Sequence, residues 1–184
     1  MVSPKPIDIL FYYQECLEAL SARRQALLRS LDTGGLPSDS RFFGKTVAEL
    51  QESLGRLVTE LEQQVVLMLT ASFESLFQVD RMERFQKKKR GPISAHLRRW
   101  WRQQPRGEGQ WLRMESLLQA WKKTIGHSNR IGRMSSLFLH RHWLAHGRYW
   151  TDKSGLGRVD PETAWQIGKA VFDVLDGFPP LPAW

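Results

Sequence analysis

The chain has 184 residues, of which 41% are hydrophobic and 25% are charged, a composition typical of a globular protein that excludes extended disorder. Its one cysteine excludes an intrachain disulfide and a cysteine-rich zinc site. The formal net charge of +8 favours a polyanionic partner, and nucleic acid is a commoner partner of basic domains than a membrane surface.

The length and the apolar runs predict a single soluble domain over residues 1–184. A chain of this length buries a substantial core without disulfides or a structural metal. Residues 1–6 lack the apolar region of a signal peptide, and the longest apolar run, residues 65–69, is too short to cross a bilayer. We therefore expect a cytoplasmic protein with no membrane partner.

Helical periodicity dominates the first half of the chain. Apolar residues at helical spacing predict an N-terminal amphipathic helix over about 7–31. These residues are Leu10, Tyr13, Leu17, Leu20, Leu27 and Leu31. From about residue 46 the same period continues for about thirty residues and predicts a long central helix, apolar nearly all round in its second half. Glu74 lies in that half, where a buried carboxylate needs a cation or hydrogen-bond donors.

The second half of the chain has shorter helical patterns, over about 93–103, 110–125 and 131–148. Asp160-Pro161-Glu162 then supplies a capping acid, a proline at the first helical position and an acid in the first turn of a last helix. No segment alternates with a strand period. The sequence predicts an all-α bundle of five or six helices, with a core over about 45–178 on which the N-terminal helix packs.

A dense basic tract follows the central helix. Its cations are Lys87, Lys88, Lys89 and Arg90, and those of the next helix are Arg98, Arg99 and Arg102. Cations interleaved with tryptophans, as in residues 98–102, are typical of surfaces that bind single strands. We predict that these residues contact RNA, with a merely solvated basic face as the alternative.

The most informative stretch is Arg141-His142-Trp143-Leu144-Ala145-His146, which places an arginine and two histidines in a helix predicted to pack. At roughly 100° per residue, Arg141 falls near the middle of the apolar arc, so it should point toward the core or an interface. His142 and His146, four residues apart, should stack along the edge of that arc. His140 falls on the opposite face, where we expect it to be exposed.

These residue types suit the cleavage of RNA without a metal. The reaction needs a base for the 2′-hydroxyl, an acid for the 5′-oxygen leaving group and stabilisation of the phosphorane. Histidine titrates near neutrality, and arginine offers forked, permanently charged donors matched to phosphate. Two histidines without a nearby acid or cysteine make a poor zinc site, so we predict no metal and no cofactor.

The segment from Arg141 and His142 to His146, followed by Gly147, resembles the Arg-x4-6-His signature of the HEPN superfamily. A long central helix with an embedded acid, a motif near the start of the last quarter and a closing helix extend the resemblance loosely over about 45–178. It implies a HEPN-like helical fold and a metal-independent endoribonuclease. Such enzymes are usually homodimers whose two motif helices face each other across an RNA-cleaving cleft.

Carried onto this sequence, the resemblance implies that Arg141 binds the scissile phosphate, that His146 acts as acid or base and that His142 has a supporting polar role. HEPN proteins frequently serve as toxins of toxin–antitoxin pairs or in antiviral phage defence, which implies an antitoxin or another regulatory partner. In one subgroup a nucleotidyltransferase antitoxin modifies a tyrosine two residues after the motif histidine. Tyr149 lies three residues after His146 and, like Glu74, is a supporting candidate.

The spacing within the motif favours a second chain. Arg141 and His146 are roughly 140° apart on a regular helix. They converge only through the long arginine side chain, a distortion near Gly147, or groups from another copy. Leu139 and Trp143 add apolar surface on the histidine side, so we expect this edge to be a two-fold interface.

Several alternatives stay open. Arg141 could be a structural arginine paired with Glu74, and the two motif histidines a structural pair. The chain could also be a non-catalytic HEPN-like module that binds RNA or a protein partner. A DNA-binding regulator is a weaker interpretation, because no helix-turn-helix spacing with a clear recognition helix stands out.

Overall fold

The computed structural model describes residues 5–35, 40–86, 90–102, 113–146, 151–175, 178 and 180–182, with the backbone alone at 100–102 and 125. Across these ranges the protein has six helices and no strand, which confirms the predicted all-α class. The helices are α1 Pro6–Thr33, α2 Val47–Gln86, α3 Pro92–Arg102, α4 Met114–Ile125, α5 Ser128–Ala145 and α6 Pro161–Phe172. None of these six combines the length and the apolar content that a bilayer crossing requires.

The first two helices form a hairpin in which α1 packs along α2. Where α1 ends and α2 begins, Phe42, Leu50 and Leu54 form a small core of their own. The beginning of α1 instead joins the main core, through Ile9 and Leu10. The start of the long helix therefore packs in the hairpin, and its second half packs in the bundle.

The main core forms where the second half of α2 meets α5 and α6. The Phe172 ring lies 5.6 Å from that of Phe73 and 5.1 Å from that of Phe77, measured between centroids. Gly168 permits this approach, because a Cβ added there would overlap the Phe73 ring. As predicted, Asp160 caps α6, and its Oδ1 accepts from the Thr163 N–H at 2.7 Å.

A buried ion pair near the end of α2 was not apparent from the sequence. Arg84 Nε donates to Asp80 Oδ2 at 2.7 Å, and both side chains are almost completely buried. The Arg84 guanidinium also lies over the ring of Trp121 from α4, 4.9 Å from its centroid. The pair thus connects α2 to the helix that packs against α5.

Candidate functional site

The motif helix α5 ends earlier than its periodicity predicts. It stops at Ala145 rather than near residue 148, and His146 is the C-cap, with φ −95° and ψ 20°. Its backbone N–H still donates to the His142 carbonyl at 3.2 Å. A glycine follows His146 in the sequence, and glycine is a poor helix former. The second motif histidine therefore lies at the end of the helix rather than within it.

The buried side of α5 changes direction along the helix. Near its N-terminus Ile131 and Met134 are buried, whereas near its C-terminus the buried residues are Leu137, His140 and Leu144. At 3.6 residues per turn these two directions differ by roughly 120°. The expectation that Arg141 lies mid-stripe is wrong for this reason, and so is the expectation that His140 is exposed.

Arg141 instead lies at the border of the buried side, next to Glu74 of α2. Arg141 Nη2 and Glu74 Oε2 are 3.9 Å apart, and the side chains are 38% and 34% exposed. Glu74 is thus half-buried, which corrects the prediction of a buried carboxylate. An ion pair this long and this exposed contributes little to stability. The guanidinium is therefore partly exposed and accessible to an anionic ligand.

His142 and His146 lie side by side on the exposed face of the helix. Their ring centroids are 4.2 Å apart, with an angle of 58° between the planes. Leu139, one turn earlier, is 55% exposed. Within the described ranges, no three His, Cys, Asp or Glu side chains come together as a metal site requires. The structure thus presents two imidazoles to solvent, with an accessible guanidinium farther around the same helix.

His140 takes part in a buried hydrogen-bond network that the sequence did not reveal. Its Nδ1 lies 2.7 Å from Asp152 Oδ2, and the imidazole is 5% exposed. Ser154 donates to the same carboxylate from its backbone N–H and from its hydroxyl, each at 2.8 Å. Burial disfavours ionisation of Asp152, but these hydrogen bonds from Ser154 and His140 lower the pKa of its carboxyl below the usual value.

A cavity of about 320 Å³ lies beside this network. Helix α2 contributes Thr59, Glu62 and Gln63, and α5 contributes His140, Trp143 and Leu144. The loop before α6 closes it with Asp152, Gly155, Gly157, Arg158 and Val159. Arg158 Nη2 donates to Glu62 Oε2 at 2.6 Å across the cavity wall.

The predicted RNA-binding residues are described in part. Arg90 and Arg99 are exposed, and Arg98 is half-buried. Arg102 is the last residue of α3, and its side chain lies outside the described set. Lys87, Lys88, Lys89 and Tyr149 also lie outside the described residues. Exposed cations occur on α4 and α5 as well: Lys122, Lys123, Arg130 and Arg133.

Comparisons with protein-family models, with curated proteins and with solved structures find no match to this chain.

Proposed function

We propose that the chain is a metal-independent endoribonuclease that cleaves single-stranded RNA by attack of the 2′-hydroxyl on the adjacent phosphate. The observation that supports this most directly is the exposed pair His142 and His146, with the half-exposed guanidinium of Arg141 on the same helix. Side chains needed only for packing are usually buried, as His140 is. The motif side chains are accessible to a substrate.

Each group has one role in the proposed reaction. Arg141 binds the non-bridging oxygens of the scissile phosphate and stabilises the charge of the phosphorane. The 2′-hydroxyl loses a proton and the leaving 5′-oxygen gains one; His146 carries out one of these two transfers, and solvent water carries out the other. His142, in ring contact with His146, orients it. The products are a 2′,3′-cyclic phosphate and a 5′-hydroxyl, so the bond to the 5′-oxygen breaks as the bond to the 2′-oxygen forms.

On a regular helix, positions 141 and 146 would be roughly 140° apart, and we therefore assign Arg141 and His146 to a site that two copies complete. The exposed Leu139 adds apolar surface to the same face, as an interface between copies needs. The net charge of +8 favours the approach of a polyanion.

The test is incubation with single-stranded RNA in EDTA. We expect wild-type protein to cleave, and we expect Arg141→Ala and His146→Ala each to lower the rate by about 100-fold or more. Matched controls are Arg133→Ala and His127→Ala, which remove exposed side chains of the same types from α5 and its N-cap. Equal rates for all five proteins would rule out the assigned roles, and products without a cyclic phosphate would rule out 2′-hydroxyl attack.

The HEPN resemblance further suggests a role as a toxin or phage-defence effector, restrained by a partner protein. Expression in bacterial cells should then arrest growth, and His146→Ala should relieve the arrest. Growth arrest that the variant does not relieve would contradict a toxic role for the nuclease.

A second candidate is a non-catalytic module that binds RNA or a protein through the same fold. The net charge of +8 and the exposed cations Arg90 and Arg99 favour it, because they attract RNA without any need for catalysis. Under this alternative RNA is not cleaved, binding survives His146→Ala, and affinity for RNA falls steeply with salt.

A further inference from the structure

The cavity beside His140 carries features of a binding site in addition to those of a folded core. Its volume of about 320 Å³ lies in the range of small-molecule sites. The side chain of Arg158 lines it and is 73% exposed, which indicates that the cavity reaches solvent there. The aromatic ring of Trp143 and the side chains of Leu144 and Val159 give it apolar walls. A flat ring system suits such walls.

Two carboxylates, those of Glu62 and Asp152, are among the polar groups of its wall. Arg158 donates to one lone pair of Glu62 Oε2, so the carboxylate keeps a second lone pair on Oε2, as well as Oε1, for accepting from a ligand. His140 Nδ1 faces Asp152 Oδ2 at 2.7 Å, and because a carboxylate oxygen accepts, Nδ1 is the donor of this hydrogen bond. Arg158, the one lysine or arginine among the described residues that line the cavity, is paired with Glu62. A ligand that fits inside therefore brings donors and no negative charge.

Among the RNA bases, guanine matches this arrangement. Its Watson–Crick edge has two adjacent donors, N1–H and the N2 amino group, which one carboxylate accepts together. Adenine and cytosine each present one amino donor next to a ring nitrogen that accepts. Uracil presents one donor between two carbonyl oxygens. Each of these three bases would direct a lone pair at the Glu62 carboxylate, and an unmatched polar contact at this mostly buried side chain is costly.

The cavity also lies next to the motif. Trp143 is three residues from both His140 and His146, and residues three apart on a helix differ by roughly 60°. Trp143 thus stands between the cavity and the exposed histidines, and its ring lies 5.3 Å from that of His140. A nucleotide whose base enters the cavity has its sugar and phosphate at the opening.

We propose that this cavity is a base-recognition pocket for guanine, with Trp143 as the stacking surface and Glu62 as the acceptor of N1–H and the amino group. The role of this pocket in selecting the cleavage site in RNA rests on the proposed ribonuclease function. The binding of guanine to the pocket is independent of that function. Arg158, at the rim, is placed to meet the ribose or phosphate.

The test is calorimetric titration of the full chain with guanosine, adenosine, cytidine and uridine 5′-monophosphates. We expect the guanosine nucleotide to bind most tightly and Glu62→Gln to weaken it about tenfold or more, because a charge-assisted hydrogen-bond pair is lost. The matched control is Glu60→Gln, an exposed glutamate of the same helix, which should leave binding unchanged. Thermal unfolding of both variants checks that Glu62→Gln is folded.

Three results would contradict the proposed guanine pocket. They are equal affinity for the four nucleotides, no binding at millimolar concentration, and equal weakening of binding by the two substitutions. The proposed function is read separately, by cleavage of RNA in the same samples. If the protein cleaves RNA but does not prefer guanosine monophosphate in the titration, the guanine pocket is refuted and the ribonuclease function stands. If the protein prefers the guanosine nucleotide but does not cleave RNA, the guanine pocket is supported and the ribonuclease function is refuted.

Discussion

His140 Nδ1 and Asp152 Oδ2, 2.7 Å apart, fasten the loop before α6 to the buried side of the motif helix. The loop carries Ser154, which donates twice to the same carboxylate and is itself buried. This network lies on the part of α5 that also bears Arg141 and His142. The orientation of the candidate site therefore depends on a contact that takes no part in the proposed chemistry.

Asp152→Ala should destabilise the fold by about 1–3 kcal/mol, because it leaves the buried His140 N–H and the Ser154 donors without their acceptor. Chemical unfolding in urea measures this. The control is Asp173→Ala, which removes an exposed carboxylate paired with Lys169 and should cost about 0.5 kcal/mol or less. Similar losses for the two variants would contradict a special role for the Asp152 network.

Asp160 should make stability fall in acid. The Thr163 backbone N–H, which Asp160 caps, lowers the pKa of the carboxyl below its usual value despite partial burial. A depressed folded-state pKa stabilises the fold above about pH 4, and this contribution is lost as the pH falls through the folded-state pKa. Asp152, with its lowered pKa, contributes in the same direction.

The variant Asp160→Asn keeps the capping hydrogen bond and removes the negative charge, because asparagine also accepts at an N-cap but does not titrate. The stability difference between wild type and Asp160→Asn should therefore be largest at neutral pH and shrink as the pH falls below about 4. Urea midpoints at a series of pH values measure it. A difference that stays constant across the series would show that the carboxylate charge has no part.

Two glycines in helices should respond to alanine with opposite signs. At Gly168 of α6 an added Cβ meets the Phe73 ring, so Gly168→Ala should cost about 1–3 kcal/mol through overpacking. At Gly132 of α5 no heavy atom lies within 4 Å of an added Cβ. Gly132→Ala should therefore stabilise the chain by about 0.5–1 kcal/mol, from helix propensity. A stabilising Gly168→Ala would mean that α2 and α6 pack less closely than described.

The sequence predicted the fold class well, because helical periodicity is a local signal. The hairpin helices, the bundle and the Asp160 cap all follow from spacing and capping residues. The proximity of Arg141 to Glu74 could also be predicted from the sequence, because a cation and a carboxylate in apolar stretches tend to pair.

What the sequence could not predict depends on contacts between distant segments. A helical wheel assumes one buried direction for the whole helix, but the loop over 151–159 covers only the C-terminal part of α5. His140 is buried there because Asp152, twelve residues later, meets it. No local pattern encodes that pairing. The cavity beside Trp143 forms because of the same loop. The single feature of the sequence that could have indicated this cavity was His140, the histidine directly before the motif.

The proposed site requires two copies of the chain, and mixtures of variants test this requirement. If Arg141 of one copy and His146 of another serve one phosphate, then Arg141→Ala and His146→Ala proteins are each inactive alone. Mixing them allows subunit exchange, and the mixed dimer contains one site with both groups intact. Part of the RNA cleavage activity should then return, as measured in EDTA on single-stranded RNA.

The control is a mixture of Arg141→Ala protein with the double variant Arg141→Ala/His146→Ala, which has no intact site in any pairing and should stay inactive. Leu139→Glu places a charge at an exposed apolar position of the same face, so it should weaken both the dimer and the cleavage together. Sedimentation at micromolar concentration measures the dimer directly. A wild-type monomer that cleaves RNA would contradict a site shared in this way, because a single helix would then have to bring both groups to one phosphate. Mixed variants that exchange subunits and stay inactive would contradict it as well.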